Sequence, residues 1–160
     1  MKKQNRGKEQ INIGGVKIDF VPLKKILKQA STWSKYNKKH HITTPNPEQI
    51  IIAQEDREFK KIINASDLSI PDGIGLVLAA RIKNGLFNSS FKRISGVDLM
   101  LALCDLAEKE DLKVFLLGGK NNAAQKAKKQ LKLSNKDLQV GYFKGAEEIK
   151  KETKKEKAMT

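Results

Sequence analysis

The stretch "LSIPDGIGLVLAARI", residues 68–82, places a proline, an acid and a glycine between two apolar runs. Leu68 and Ile70 read as the end of a buried strand, and Ile74 to Ile82 read as a helix that follows at once. A strand running directly into a helix is the repeating unit of a parallel α/β sheet. Asp72 then falls at the C-terminal lip of that strand, where open α/β sheets bind their ligands. Two readings of Asp72 stand side by side. Proline fixes φ, aspartate tolerates turn geometry and glycine allows positive φ, so Pro71-Asp72-Gly73 makes a sound tight turn. The same carboxylate at the same lip suits a catalytic base.

The neighbouring segments extend the pattern. "INIGGVKIDF" (residues 11–20) alternates apolar and polar residues around Gly14-Gly15, which predicts a β-hairpin. Leu23, Ile26, Leu27, Ala30 and Trp33 fall at helical spacing, with Pro22 near the first turn. A short strand ends at Thr44, after which Asn46 is placed to cap a helix with Pro47 at its first position and Glu48 in its first turn. "DREFKKIINAS" reads as further helix, and "SGVDLMLALCDLAEKE" (residues 95–110) predicts the longest amphipathic helix. "LKVFLLGG" (residues 112–119) is almost wholly apolar, as expected of a parallel strand buried on both faces. A helix over residues 120–133, with Ala124, Ala127 and Leu131 inward, and a strand at "LQV" complete the series. The expected fold is therefore α/β, a Rossmann-like and mainly parallel sheet with flanking helices and an N-terminal β-hairpin. Residues 1–10 form a basic extension, residues 11–143 the α/β domain and residues 144–160 a lysine-rich tail.

Bulk properties narrow the class. At 160 residues the chain is about one domain long. No apolar run approaches the roughly 18–20 residues of a membrane span, and no apolar segment follows the basic start as a signal peptide requires. A single cysteine, Cys104, builds neither a disulfide framework nor a metal cluster, and its apolar helical setting points to the core. These features together favour the cytoplasm. The net charge of +14 is concentrated: residues 1–41 carry 11 Lys/Arg against 2 Asp/Glu, whereas residues 42–100 carry 7 of each. Arginine occurs only at positions 6, 57, 81 and 93. Base readout favours arginine, so no specific nucleic-acid partner is expected; a lysine-rich habit or attraction to anionic lipid headgroups fits better.

Several chemical signals remain. Gly118-Gly119 joins a strand to a helix and resembles a phosphate-facing turn, although two glycines in a βα turn are also ordinary and the full G-x-G-x-x-G is absent. His40 and His41 lie side by side with no Cys or carboxylate at ligand spacing, so no metal is expected. Thr44, Asn46 and Asp72 come from the ends of two predicted strands, and Arg93 ends the loop before the next helix. A carboxylate, a guanidinium, a hydroxyl and an amide on one lip suit a sugar or nucleotide-sugar site.

The ordered set T-P-N, P-D-G-x-G, R-x-x-G-x-D-L and L-L-G-G, spread over residues 11–143, resembles the WecG/TagA/CpsF family of glycosyltransferases. The resemblance implies an inverting hexosyltransferase with no cofactor and no metal. Its donor would be a UDP-linked N-acetylamino sugar, N-acetylmannosamine above all, and its acceptor an undecaprenyl-diphosphate-linked sugar. It further implies work at the inner face of the cell membrane, in wall-polymer or surface-polysaccharide synthesis. Carried over, Asp72 is the base, Thr44 and Asn46 line the sugar pocket and Arg93 lies near the diphosphate; Gly118 and Gly119 are the nucleotide-contact candidates from the turn itself. The loop "NGLFNSS" lengthens the spacing from Asp72 to Arg93. Members of the family continue past a segment like "VGYF" with a G-x-P-x-Q-E segment. The resemblance thus implies a truncated chain, incomplete on one side of its site, with uncovered apolar sheet and self-association through an exposed edge. The alternative from a different class is an inactive fragment that acts as a basic module on membrane or anionic polymer.

Overall fold

The structure is a computed structural model that describes residues 10–84 and 93–144. The basic extension up to residue 9, most of the loop "NGLFNSS" and the tail from residue 145 lie outside the described residues. The chain divides into two compact units, with the boundary between Leu103 and Cys104.

The first unit begins with the expected hairpin, β1 (Gln10–Ile13) and β2 (Val16–Asp19), paired Ile11 to Ile18 and Ile13 to Val16. Gly14 and Gly15 both take positive φ, +57° and +79°, which a two-residue turn of this hand requires. Two helices clamp that turn. The Gln54 side-chain amide of α2 (Pro47–Glu55) donates to the Gly14 carbonyl at 2.8 Å. From α3 (Arg57–Ala65), the Asn64 amide donates to Gly15 and its carbonyl accepts from the Lys17 N–H. Ile11, Val16 and Ile18 are buried against Ile50, Ala53 and Ile63 of these helices and against Leu76, Val77 and Ala80 of α4 (Ile74–Asn84).

A second cluster joins Ile26 of α1 (Leu23–Ser34) to Leu68, Ile70 and Leu99, with Trp33, Ile42 and Leu103 packed against it. Leu68 belongs to β4 (Leu68–Ser69), which pairs in parallel with β3 (Ile42–Thr43). The pairing continues beyond both strands: Ile70 N–H donates to Thr43 O at 2.8 Å and Asp72 N–H to Pro45 O at 2.9 Å. The buried Asp19 carboxylate ties the hairpin to β4, accepting from the Gln10 side chain and from Ser69 N–H. Its burial is tolerated because both oxygens are paired.

In the second unit, the end of α5 (Gly96–Lys109) leads into β5 (Lys113–Leu117), α6 (Ala123–Ser134) and β6 (Gln139–Phe143). β5 and β6 pair in parallel from Lys113–Gln139 to Leu117–Phe143. Asn135, buried just past α6, donates to Asp105 and Glu108 and so holds the end of α6 to α5. Cys104 is buried, as its apolar setting implies; burial, followed by the neighbouring Asp105 charge, pushes its thiol pKa up.

The α/β class stands, but two details differ from expectation. The described strands form three two-stranded sheets, one antiparallel and two parallel, instead of one mainly parallel sheet. β5 is also not buried on both faces. Val114 and Leu116 are half-buried, whereas Phe115 and Leu117 are 66% and 74% exposed and Phe143 is 60% exposed. An apolar run reports the tendency to be covered; with the sheet two strands wide, helix contact reaches only the alternate residues that share one face.

Candidate functional site

The C-terminal rim of β3 and β4 gathers Thr44, Asn46, Asp72 and Arg93. Pro71 is fully buried and anchors the turn, while the Asp72 side chain, 32% exposed, reaches the surface. Its Oδ2 accepts the Gly96 N–H at 3.0 Å, and its Oδ1 faces Arg93 Nη2 at 3.4 Å. Gly96 opens α5, so the carboxylate sits at the positive end of that helix's dipole as well as beside a guanidinium. Ser95 caps the same helix, its hydroxyl accepting from Val97 and Asp98 N–H.

Glycines explain how the groups come so close. A Cβ on Gly96 would stand 3.1 Å from both Asp72 Oδ2 and Thr44 Oγ1, so the two oxygens flank the same backbone atom. At Gly73, φ is +136° and a Cβ would meet the Pro47 ring at 3.0 Å; at Gly75 a Cβ would meet the same ring at 3.0 Å. The spacing P-D-G-x-G therefore lets the Pro71–Gly75 turn pack under the Thr44–Pro47 segment. The role of Gly96 as a donor to Asp72 is one that sequence reasoning misses. The R-x-x-G spacing carries the signal, but the contact spans 24 positions in the chain.

Asn46 has a second employment. Its side-chain oxygen accepts from Gln49 N–H at 2.8 Å, while the Gln49 side chain accepts from Asn46 N–H, completing a capping box on α2. Only its amide NH₂ remains for a ligand. The Gly118-Gly119 turn lies in the other unit and is built from backbone alone. Both glycines take positive φ, +86° and +88°, as do Asn121 and Asn122 after them. A Cβ on Gly119 would strike the Ala123 side chain at 2.7 Å, whereas Gly118 faces open space. The N-cap of α6, Asn122, makes no side-chain capping bond.

The two histidines are accounted for nearby. His40 stacks on Trp33, centroids 4.2 Å apart, and pairs with Asp67 at 3.4 Å; His41 N–H donates to the same carboxylate. Among the described residues, no group of three or more His, Cys, Asp or Glu is arranged to hold a metal ion, and no helix is long and apolar enough to cross a membrane.

Residues 11–159 match the glycosyl transferase WecG/TagA/CpsF family. The chain belongs to that family. It is similar to the N-acetylglucosaminyldiphosphoundecaprenol N-acetyl-beta-D-mannosaminyltransferase of Bacillus subtilis strain 168, 30% identical over 105 residues that cover 65% of this chain and 40% of the relative. The protein of the same name from Bacillus spizizenii strain W23 is 27% identical over 124 residues, covering 74% of this chain and 47% of the relative. The chain thus spans less than half the length of either. Of the four motifs that carry the family pattern, T-P-N, P-D-G-x-G and R-x-x-G meet at one rim of the first unit, and L-L-G-G stands in the second.

Proposed function

We propose that this chain is a glycosyltransferase that moves an N-acetylamino sugar, N-acetylmannosamine by analogy with the named relatives, from a UDP-sugar to an undecaprenyl-diphosphate-linked N-acetylglucosamine. The observation that carries this is the pairing of Asp72 with Gly96 N–H and Arg93 at the β3–β4 rim, with Thr44 Oγ1 beside the same glycine. Among the described residues, Asp72 Oδ2 is engaged by the 3.0 Å backbone bond and Oδ1 by the longer contact with Arg93, so Oδ1 is the atom that takes the proton. The acceptor hydroxyl loses its proton to Oδ1 as its oxygen attacks the anomeric carbon, and UDP departs from the opposite face with the bonding electron pair. Configuration inverts in one step. Arg93, half exposed, offers its remaining guanidinium N–H groups to the diphosphate, for which a planar cation is well suited. Thr44 and the free amide of Asn46 hydrogen-bond sugar hydroxyl or acetamido groups. The Gly118-Gly119 turn, with positive φ at both glycines, offers backbone N–H groups as the nucleotide contact of this proposal. No metal or cofactor takes part in this scheme, and the reaction runs at the cytoplasmic membrane face, in teichoic acid or other wall-polymer synthesis.

The test is transfer itself. The chain, and a chimera carrying the C-terminal part of the Bacillus subtilis relative, are incubated with UDP-N-acetylmannosamine and a polyprenyl-diphosphate N-acetylglucosamine, and the disaccharide lipid is identified by mass. Product formation that persists in excess EDTA and disappears in Asp72→Asn supports the proposal. Product formed equally by Asp72→Asn contradicts it, and Asp72 is then the turn residue of the plainer reading.

A further inference from the structure

A groove of about 450 Å³ lies along α1 and the segment after it, and it shares no residue with the Asp72 rim. Its wall includes Lys25, Lys28, Trp33, Tyr36, Lys38 and His40, and among the described residues no acidic side chain lines it. Trp33 is partly buried: it packs against the Ile26–Leu68–Ile70 cluster on one side and stacks on His40 at an interplanar angle of 8°. The floor is therefore held by the core. His40 is in turn held by Asp67, whose carboxylate is already occupied by that pair and by His41 N–H. Tyr36, 65% exposed, presents an aromatic ring to solvent at the groove's lip.

We infer that this groove seats the headgroup phosphate of an anionic phospholipid and holds the chain on a bilayer surface. Lysines suit a lipid phosphate, because each is a strongly hydrated point charge that neutralises it without the planar geometry of base or carboxylate readout. Tyr and Trp rings suit the same surface, because they are apolar in body and polar at the tip and prefer the boundary between headgroups and acyl chains. A soluble phosphate ligand would need the lysines but would give the exposed Tyr36 ring nothing to enter. The inference deepens the proposed function by giving the membrane that carries the lipid-linked acceptor a seat on α1. It is read by binding alone, so its failure is distinct from a failure of transfer.

The test uses the whole chain and its single tryptophan. Vesicles of phosphatidylcholine, with and without phosphatidylglycerol, are sedimented with the protein while Trp33 emission is recorded. Binding only to the phosphatidylglycerol vesicles, weakened by added salt and accompanied by a blue shift of Trp33, is expected. Lys28→Glu with Lys38→Glu lowers that binding by at least about tenfold, while the control pair Lys109→Glu with Lys129→Glu, of equal net charge, lowers it about threefold or less. Tyr36→Ser, a change at an exposed position, also lowers binding and leaves the melting curve unchanged. Equal loss in the two lysine pairs, an unmoved Trp33 spectrum on bound vesicles, or a Trp33 shift produced as readily by free glycerol phosphate would each overturn the inference, the last by showing a soluble-anion site instead.

Discussion

Two strand ends in this protein lead into helices through glycine, and they are built in opposite ways. At Ser69–Gly73 the strand is buried, and the turn delivers a side chain: Asp72 meets Gly96 N–H at 3.0 Å and Arg93 at 3.4 Å. At Leu117–Asn122 the strand leaves half its apolar residues exposed, and the turn delivers only backbone, four residues with positive φ before α6. The first arrangement fixes charges at set distances and suits chemistry. The second offers N–H groups and suits holding an anion. Chemistry needs the rigid rim, since small displacements of a base are costly, whereas a backbone cradle tolerates some play.

The contrast in support gives the largest effect. Ile70 is completely buried beneath the Asp72 rim, so Ile70→Ala should cost about 2–5 kcal/mol in chemical denaturation. A cost below about 1 kcal/mol would mean that the rim is no firmer than the second turn. The glycines come next. Gly73→Ala meets both an unfavourable φ and the Pro47 ring, and should cost about 1–3 kcal/mol. Gly118→Ala meets an unfavourable φ but open space, and should cost about 1 kcal/mol. Equal melting shifts would erase the distinction between a packed turn and an open one. Asn46 separates capping from binding. Asn46→Ala should lose about 1 kcal/mol with the cap, while Asn46→Asp retains a capping oxygen and removes the amide donor. Asp at this position should therefore melt like the parent yet bind the donor sugar more weakly, by titration calorimetry. The smallest effect belongs to the exposed face of β5: Leu117→Ser should change stability by no more than about 0.5 kcal/mol, and a larger loss would show that this face is covered in solution.

Much of this is legible in the chain. Gly14-Gly15 points to the hairpin because glycine takes positive φ without steric cost at both turn positions. Asn46 followed by Pro47 and Glu48 announces the start of α2, and the structure adds Gln49 to complete a capping box. Thr44 and Asp72 can be brought to one lip from strand order alone, because residues following strand C-termini in a parallel pair share an edge; Arg93 arrives there from the end of a loop. What cannot be read is which backbone N–H the carboxylate meets. Gly96 reaches Asp72 only after the chain has passed through α4 and returned. Nor can the cover of β5 be read. "VFLLGG" is as apolar as a strand buried on both faces, and nothing within six residues records how many strands or helices stand beside it.

The most direct measurement places Asp72→Asn and Gly118→Ala in the same transfer assay, in the chimera that carries a relative's C-terminal part. If the β3–β4 rim carries the chemistry, Asp72→Asn lowers kcat by about 10²–10⁴-fold and moves the donor KM little. Gly118→Ala then raises the donor KM while keeping kcat within about threefold, since a bent cradle weakens ground-state and transition-state binding alike. The reverse pattern, with kcat lost at Gly118 and kept at Asp72, would contradict the assignment of the two turns.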